Sequence, residues 1–386
     1  MNRVTRILFS VILILFLLLL VCGCGRARSD VPVTPVQTTS EYERSQNNEP
    51  ALDIEPVQDS GSAQDIGTVQ GSGPTQDVLS VLDNEPVQDS EPTQDNESGH
   101  YSESAENSEV VRDSFQFLFF SDTQPDPEIG DYSGFGDLLK QALERGWAPD
   151  MVIFGGDTVN DGGDETEWHD FWQSVGTSLD GTSMAAVAGN HDSYALLAEQ
   201  FDYPIEAPAG QGKGYFYSMS MGPVFFLMLD SNIMGAANQA DIDWLENELQ
   251  SEAARRADWI IAVMHHPMWP AADIPKDIQR ADTMRKHFLP LFESFGVGLI
   301  LCGHQHVYSR TLPMQGMTAA SGGIGIVQIM AASGDKATYA SSEQEFISVT
   351  AEAPNYVYIE ADSNSLVITA CNGENVVIDE LLVSNK

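Results

Sequence analysis

The stretch MVIFGGD at residues 151–157 is a run of four apolar residues followed by two glycines and an aspartate. Four other stretches have the same form, in which a short apolar run ends at polar residues. They are FQFLFFSD at 115–122, MAAVAGNHD at 184–192, WIIAVMHHP at 259–267 and VGLILCGHQH at 297–306. Apolar runs of this length indicate strands that are buried on both faces of a sheet. We therefore expect an α/β fold.

Helical periodicity falls between these strands, as expected for an α/β protein. The predicted helices cover 136–145, 165–174, 242–254 and 283–295. After His306 the pattern changes to short strand-like pieces. These pieces cover 324–330, 356–360, 366–370 and 376–378. Together with 215–229, they predict a second sheet that packs on the first, so that the fold is an α/β sandwich.

The polar residues after the five apolar runs are expected to meet at one edge of the sheet, because ligands collect at the carboxyl ends of strands in open α/β sheets. They include Asp122, Asp157, Asn190, His265, His304 and His306. Carboxylate, amide and imidazole groups without thiolate suit manganese, iron or zinc. Six ligands are too many for one tetrahedral ion. Two divalent ions about 3.5–4 Å apart that share a carboxylate would use them all.

The order of these motifs resembles the calcineurin-like metallophosphoesterases, and within them the purple-acid-phosphatase-like branch. The matching blocks are SDTQ, GGDTVN, AGNHD, VMHHP and CGHQH, in this order. The resemblance covers most of residues 115–310. The resemblance implies a four-layer α/β/β/α sandwich of two mixed sheets. It also implies hydrolysis of phosphate mono- or diesters by in-line attack of a metal-bound hydroxide.

The resemblance assigns metal-binding roles by position in the sequence. Asp157 is similar to the carboxylate that bridges the two metals. The other ligands are Asp122 and His306 at one metal, and Asn190, His265 and His304 at the other. His265 matches the ligand position, and His266 is an additional neighbour.

The same resemblance assigns catalytic roles and shows two departures from the family pattern. His191 is similar to the histidine that protonates or stabilises the leaving group, and Asp192 is expected to orient its ring. Gln124 stands where the family often has a second metal-binding histidine, and Asn160 stands where the purple enzymes have a tyrosine. Either amide oxygen, or water, is expected to complete the first metal site.

Residues 1–24 have the form of an export signal. Arg3 and Arg6 precede an apolar run that is shorter than the roughly 20 residues needed to span a bilayer. The segment resembles a bacterial lipoprotein signal, in which the cysteine after a small residue is lipidated. Cys24, which follows Gly23, is the predicted site, and an uncut signal anchor is the alternative. The lipoprotein interpretation predicts an extracellular protein that is anchored to the cell membrane.

Residues 25–112 are rich in Ser, Gln, Asp, Glu, Pro and Gly, and they repeat imperfectly, with LDIEPVQDS at 52–60 and LDNEPVQDS at 82–90. The repeat lacks the apolar residues that would bury a face, which favours a disordered acidic linker over a solenoid. We expect it to hold the folded part away from a membrane or through a cell wall, with a binding segment as the alternative. Residues 113–386 are predicted to form the catalytic domain.

Charge and cysteine content limit the choice of function. The chain has 57 acidic against 18 basic residues, a formal net charge of −39, and the acidic excess continues into the predicted domain. This excess argues against a nucleic-acid-binding surface, which needs a basic patch. Cys302 and Cys371 are expected to be buried thiols, although a disulfide between them is an alternative.

Two further features have alternative interpretations. Arg310 follows the last motif, where it either touches a substrate or forms a salt bridge. GQGKG at 210–214 lacks the ending of a phosphate-binding loop, so we interpret it as a turn. Hydrolysis of a small phosphate ester is the predicted function. A non-catalytic, surface-displayed protein that binds metal or phosphate is the alternative.

Overall fold

Two mixed β-sheets face each other in the computed structural model of the protein. The structure describes residues 114–126, 128, 130–201, 216–337, 339 and 341–385. The predicted signal at 1–24, the predicted linker at 25–112 and the predicted turn at 210–214 lie outside these residues. Within the described residues, no helix has both the length and the apolar character needed to cross a bilayer.

The first sheet combines three parallel strands with three antiparallel ones. Its parallel strands are β1 (Ser114–Phe120), β2 (Met151–Phe154) and β3 (Ser183–Ala186). Its antiparallel strands are β13 (Asn355–Asp362), β14 (Ser365–Asn372) and β15 (Val377–Ser384). The spatial order is β15-β14-β13-β1-β2-β3, so β1 pairs with β13 on one side and with β2 on the other.

The second sheet has the order β12-β8-β11-β7-β6-β5-β4. Its strands are β4 (Phe216–Met221), β5 (Val224–Leu229), β6 (Trp259–Met264), β7 (Val297–Cys302), β8 (Val307–Thr311), β11 (Val327–Met330) and β12 (Ile347–Glu352). Strands β5, β6 and β7 run parallel. A separate small hairpin consists of β9 (Met314–Gln315) and β10 (Thr318–Ala319).

The structure corrects the predicted division of strands between the two sheets. We expected the five motif-bearing strands to share one sheet and the later strands to form the other with 215–229. Instead, β1, β2 and β3 lie in the first sheet, while β6 and β7 lie in the second. Burial on both faces is common to every inner strand of the sandwich, so an apolar run does not identify the sheet to which its strand belongs.

Helices cover the outer faces of both sheets. Those on the first sheet are α1 (Ser133–Glu144), α2 (Glu165–Val175) and α3 (Tyr194–Phe201). Those on the second are α4 (Ser231–Met234), α5 (Gln239–Leu249), α6 (Glu252–Arg256), α7 (Pro275–His287) and α8 (Leu289–Phe295). A short 3₁₀ helix covers Ser321–Gly323. The predicted four-layer α/β/β/α sandwich is confirmed.

The central core lies between the two sheets. Alternate side chains of β1 point to opposite faces, so Phe117 faces the second sheet while Leu118 and Phe120 pack under the helices. Phe117 meets Phe226 edge to face, with ring centroids 5.2 Å apart. This packing fixes the relative position of the two sheets, whose strand ends together form the site.

The two cysteines of the folded region are free and buried. Cys302 ends β7 and Cys371 lies in β14, so the two thiols belong to different sheets. The prediction of buried thiols is confirmed, and the alternative of a disulfide between them is wrong.

Candidate metal centre

A buried cluster of one carboxylate and two imidazoles forms where three strands end. Asp157 follows β2, His265 follows β6 and His304 follows β7. One potential ligand atom from each of these residues lies within 4.8 Å of the others, and all three side chains are buried. The cluster therefore joins strand ends from both sheets.

A second carboxylate–imidazole pair adjoins this cluster. Nε2 of His306 lies 3.4 Å from Oδ1 of Asp122. The other carboxylate oxygen of Asp122 accepts hydrogen bonds from the Ser121 hydroxyl at 2.8 Å and from the backbone N–H of His304 at 2.8 Å. Because His304 belongs to the first cluster, this contact holds the two groups next to each other.

Backbone carbonyls fix the ring orientations of two histidines. Nδ1 of His265 lies 3.0 Å from the carbonyl of Gly155, and Nδ1 of His306 lies 3.1 Å from the carbonyl of Ala337. A carbonyl oxygen only accepts hydrogen bonds, so each ring donates from Nδ1. Each ring in its neutral form then directs the lone pair of Nε2 toward the carboxylates, as a metal-ligating histidine does.

His304 is oriented in the opposite sense by a carboxylate. Its Nε2 lies 3.0 Å from Oδ1 of Asp277 in helix α7, so the lone pair of Nδ1 is available for a metal. Gln305 donates to the other oxygen of Asp277 at 2.8 Å. Sequence reasoning missed Asp277, because it is an ordinary acidic residue in the first turn of a helix.

The unsatisfied atoms of the cluster fit a divalent cation. Oδ1 of Asp122 and Nε2 of His265 are buried and make no hydrogen bond. Each faces a group of opposite character, Nε2 of His306 at 3.4 Å and Oδ2 of Asp157 at 3.2 Å. Burial lowers the pKa of His265, but the charges of Asp157 and Asp122 outweigh this effect and raise the pKa to about 9. Burial raises the pKa of Asp157, but the His265 charge outweighs it, so the net pKa is low. The cluster therefore has a strong affinity for positive charge, which a cation satisfies.

The backbone is left-handed at four of the predicted ligands. These are Asp122, Asp157, His304 and His306, with φ between 46° and 78°. Such conformations are uncommon outside glycine and collect at functional sites. A Cβ atom on Gly189 would lie 2.1 Å from Oδ1 of Asp157, and one on Gly303 would lie 2.1 Å from Oδ2 of Asp122. The glycines of the two motifs thus allow close approach to the carboxylates.

His191 lies beside the cluster without joining it. Its backbone N–H donates to Oδ1 of Asp157 at 2.8 Å, and its Nδ1 donates to the carbonyl of Asn160 at 2.6 Å. Asn190, which precedes it, has an exposed side chain. The contact with Asp157 places the loop that carries both residues directly next to the carboxylate–imidazole cluster.

The structure corrects the role predicted for Asp192. We expected its carboxylate to orient the ring of His191, but that ring is held by the carbonyl of Asn160. The Asp192 carboxylate instead accepts from the backbone N–H groups of Asp157, Gly189 and Thr158, at 2.7, 2.8 and 3.1 Å. Burial and the charge of Asp157 raise its pKa to about 7. Asp192 therefore positions the backbone of Asp157.

Gln124 and Asn160, the two residues that depart from the family pattern, form hydrogen bonds to other protein groups through their side-chain amides. Gln124 accepts from the ammonium of Lys336 at 2.9 Å and donates to the carbonyl of Val159 at 3.2 Å. Asn160 donates from its side chain to the carbonyl of Pro125 at 3.3 Å. The amide oxygen of Gln124 thus already has a partner, Lys336, a residue that sequence reasoning did not identify.

Arg310 forms the salt bridge that the sequence left as one of two alternatives. Its guanidinium donates to both oxygens of Asp379 in β15, and the hydroxyl of Tyr308 donates to the same carboxylate at 2.7 Å. Since β8 and β15 belong to different sheets, this pair connects the two halves of the sandwich.

A profile of the calcineurin-like phosphoesterase family matches residues 115–308, which is half of the chain. The chain belongs to this family. The match contains all six predicted metal ligands, and it ends before the segment that carries Lys336.

Relatives of this chain include a named phosphatase. An uncharacterized protein of Mycobacterium tuberculosis is 29% identical over 172 residues, which are 39% of this chain and 32% of that protein. Acid phosphatase type 7 of Homo sapiens is 28% identical over 145 residues, which are 33% of this chain and 32% of that protein. The chain thus covers about a third of the length of these relatives.

A solved structure with the same fold is the purple acid phosphatase PPD1 from yellow lupin seeds. The likeness covers 70% of this chain and 54% of that one, with a TM-score of 0.58 and 16% sequence identity. At this identity, the likeness shows the shared sandwich fold.

Proposed function

We propose that this chain is a metal-dependent hydrolase of small phosphate esters, either phosphomonoesters or phosphodiesters. One observation carries the proposal. His265, His304 and His306 each donate one ring N–H to a fixed acceptor, which leaves the other nitrogen of each ring free beside buried Asp122 and Asp157. This is how histidines are arranged around a catalytic metal. The family membership of the chain supports the same conclusion.

We propose that the site holds two divalent cations, either manganese, iron or zinc. The cluster of Asp157, His265 and His304 supports this proposal, because its potential ligand atoms lie within 4.8 Å of one another. Asp157 would lie between them. Asp122 and His306 would bind one, and Asn190, His265 and His304 would bind the other. Bound there, such cations lower the pKa of a coordinated water and neutralise charge on a phosphoryl group. They also provide the positive charge that an anionic substrate needs in a protein with a net charge of −39.

We assign His191 the role of stabilising or protonating the leaving oxygen. Its Nδ1–H is held by the carbonyl of Asn160, so Nε2 is the ring atom that faces the substrate, and it can donate a proton there when the ring is cationic. The loop that carries it is fixed to Asp157 by the hydrogen bond of its own backbone N–H. The ring is therefore held in one orientation beside the cluster, as a group that acts on a proton must be.

The test is hydrolysis of an aryl phosphate monoester and an aryl phosphate diester by the purified 386-residue chain. Turnover is measured with and without added Mn²⁺, Zn²⁺ or Fe²⁺, and bound metal is determined by elemental analysis. We expect metal-dependent turnover. His191→Ala should lower kcat about 10²- to 10⁴-fold while it retains the metal.

His169→Ala is the matched control, because His169 lies on the exposed face of α2, where its ring contacts Gln173. This variant should keep wild-type turnover. If no metal restores turnover on any of several mono- and diesters, the chain is a non-catalytic protein of this fold that binds metal or phosphate.

We also propose that the chain is exported and anchored to the cell membrane by a lipid on Cys24. The support is the sequence of residues 1–24, which lie outside the described part of the structure. Expression of Cys24→Ala beside the wild type, followed by separation of membrane and soluble fractions, tests this proposal. The variant should leave the membrane fraction if lipidation anchors the chain, and it should remain there if an uncut apolar helix does so.

A further inference from the structure

Lys336 contacts two residues at the edge of the metal centre. Its Nζ lies 2.9 Å from Oε1 of Gln124 and 3.2 Å from Nε2 of His191. The amide oxygen of Gln124 can only accept hydrogen bonds. His191 donates from Nδ1 to the carbonyl of Asn160, so its Nε2 accepts as well. Lys336 therefore donates to both partners and has a third N–H left.

The charge of Lys336 has no counter-ion among the residues that the structure describes. Its two hydrogen-bond partners are an amide and an imidazole, and no described carboxylate forms an ion pair with it. The side chain is half-buried. The interaction energy of an ammonium with an anion is larger when the ammonium is partly desolvated than when it is fully hydrated. Lys336, whose described partners are neutral, can therefore bind an anion favourably.

The loop that carries Lys336 is attached to the metal centre on both sides of this residue. Before it, the backbone N–H groups of Ser333 and Gly334 donate to the carbonyls of Ser121 and Asp122, at 2.7 and 2.8 Å. After it, the carbonyl of Ala337 accepts from His306 at 3.1 Å. The position of the ammonium is thus set by the same residues that form the cluster, which gives a preorganised binding group.

We propose that Lys336 is a substrate-binding residue whose ammonium pairs with a phosphoryl oxygen of the ester. This inference rests on the proposed function, in which His191 faces the leaving oxygen. A phosphoryl group that meets Nε2 of His191 comes within reach of Nζ of Lys336, because the two atoms are 3.2 Å apart. Lys336 also contacts Gln124, which lies beside the proposed metal of Asp122 and His306. That metal has fewer side-chain ligands than the other, and the ammonium of Lys336 adds a fixed positive charge next to it.

Such a contact distinguishes phosphate monoesters from diesters. A monoester carries two charges on three non-bridging oxygens, whereas a diester carries one charge on two. A charge-assisted hydrogen bond from Lys336 is stronger to the dianion, and it needs an oxygen that the metals leave free. The proposed contact therefore favours monoesters.

The experiment compares Lys336→Met with the wild-type chain on p-nitrophenyl phosphate and bis(p-nitrophenyl) phosphate, with the same metal added. We expect kcat/KM for the monoester to fall roughly 10- to 100-fold, as for loss of a hydrogen bond to a charged group. For the diester we expect a fall of less than about 3-fold, because it has only two non-bridging oxygens and a single charge, so the metals would leave no charged oxygen for Lys336. Bound metal should not change. Lys336→Arg should recover part of the monoester activity, because it keeps the positive charge.

Lys140→Met, which removes an exposed lysine from α1, is the matched control and should leave both substrates unaffected. Equal losses on both esters, or no loss on either, would overturn the inference. If the wild type has no turnover at all, the proposed function fails, and calorimetry with inorganic phosphate still tests Lys336. The inference then requires that Lys336→Met weaken phosphate binding to the metal-loaded chain about tenfold or more, and equal affinity would refute it.

Discussion

Nε2 of His304 lies 3.0 Å from Oδ1 of Asp277, and both side chains are buried. The contact leaves Nδ1 of His304 to bind a metal and fixes the plane of the ring. Burial lowers the pKa of His304, despite the neighbouring carboxylate, which favours the neutral ligating form. Asp277 thus connects helix α7 to the candidate metal centre.

The first prediction is that Asp277→Ala weakens metal binding. Without the carboxylate, the His304 ring loses its fixed orientation, and loss of such a partner costs about 10- to 100-fold in metal affinity. Competition with a fluorescent zinc chelator measures the affinity. Asp282→Asn, an exposed position of the same helix, is the control. Equal affinities of Asp277→Ala and the wild type would show that Asp277 does not support the metal.

The second prediction concerns Asp192, whose two oxygens both accept backbone N–H groups. Asp192→Asn turns one oxygen into an NH₂ that faces a backbone N–H. Burial and the Asp157 charge raise the pKa of Asp192, and bound cations would offset that charge. We expect the free energy of unfolding of the metal-loaded chain to fall by about 1–3 kcal/mol, since a buried donor loses its acceptor. Urea unfolding measures this change, and Asp180→Asn, at an exposed position, should leave the midpoint unchanged. A stable variant with normal metal content would contradict the assigned role.

The third prediction concerns the bridge between the sheets. Asp379→Ala leaves the guanidinium of Arg310 and the hydroxyl of Tyr308 without their shared acceptor. Removing one partner of a largely buried ion pair costs about 3 kcal/mol or more. We expect a lower thermal midpoint with kcat/KM unchanged at temperatures where the variant is folded. Glu380→Ala, at the exposed neighbouring position, is the control. A loss of turnover in the folded variant would instead place Arg310 in the substrate site.

The fourth prediction is a pH dependence of stability that comes from Asp230. Burial raises the pKa of this carboxyl to about 6 from its usual value near 3.8. Between these two values the unfolded chain ionises first, so the folded state loses stability as the pH rises from about 4 to 6. The total cost at higher pH is up to about 3 kcal/mol.

Asp230→Asn removes this cost, because an amide does not ionise, and it keeps an acceptor for the backbone N–H of Asn232. The thermal midpoint of the variant, relative to the wild type, should therefore be higher at pH 7.5 than at pH 4.5. Asp243→Asn, at an exposed position of α5, should show no such change with pH. A difference between Asp230→Asn and the wild type that is the same at both pH values would exclude Asp230 as the titrating group.

The sequence by itself determined the five strands that carry the motifs and the polar residues at their ends. Apolar runs such as 151–154 became strands with the predicted bounds. An apolar segment that is followed by glycine and a polar residue favours a buried strand that ends at the glycine, and this pattern is local in the sequence. The motif order also identified the family, because the order of Asp157, His265 and His304 along the chain can be read directly from the sequence.

Tertiary structure decided which sheet each strand joins, what Asp192 holds and which distant residues reach the metal centre. Asp277 and Lys336 have no local pattern that separates them from the other acidic and basic residues of the chain. The contact of Asp277 with His304 forms when helix α7 packs on the second sheet. The contact of Lys336 with His191 forms when the two sheets come together. A hydrogen bond depends on the distance between two atoms, and for residues far apart in the chain the fold sets that distance.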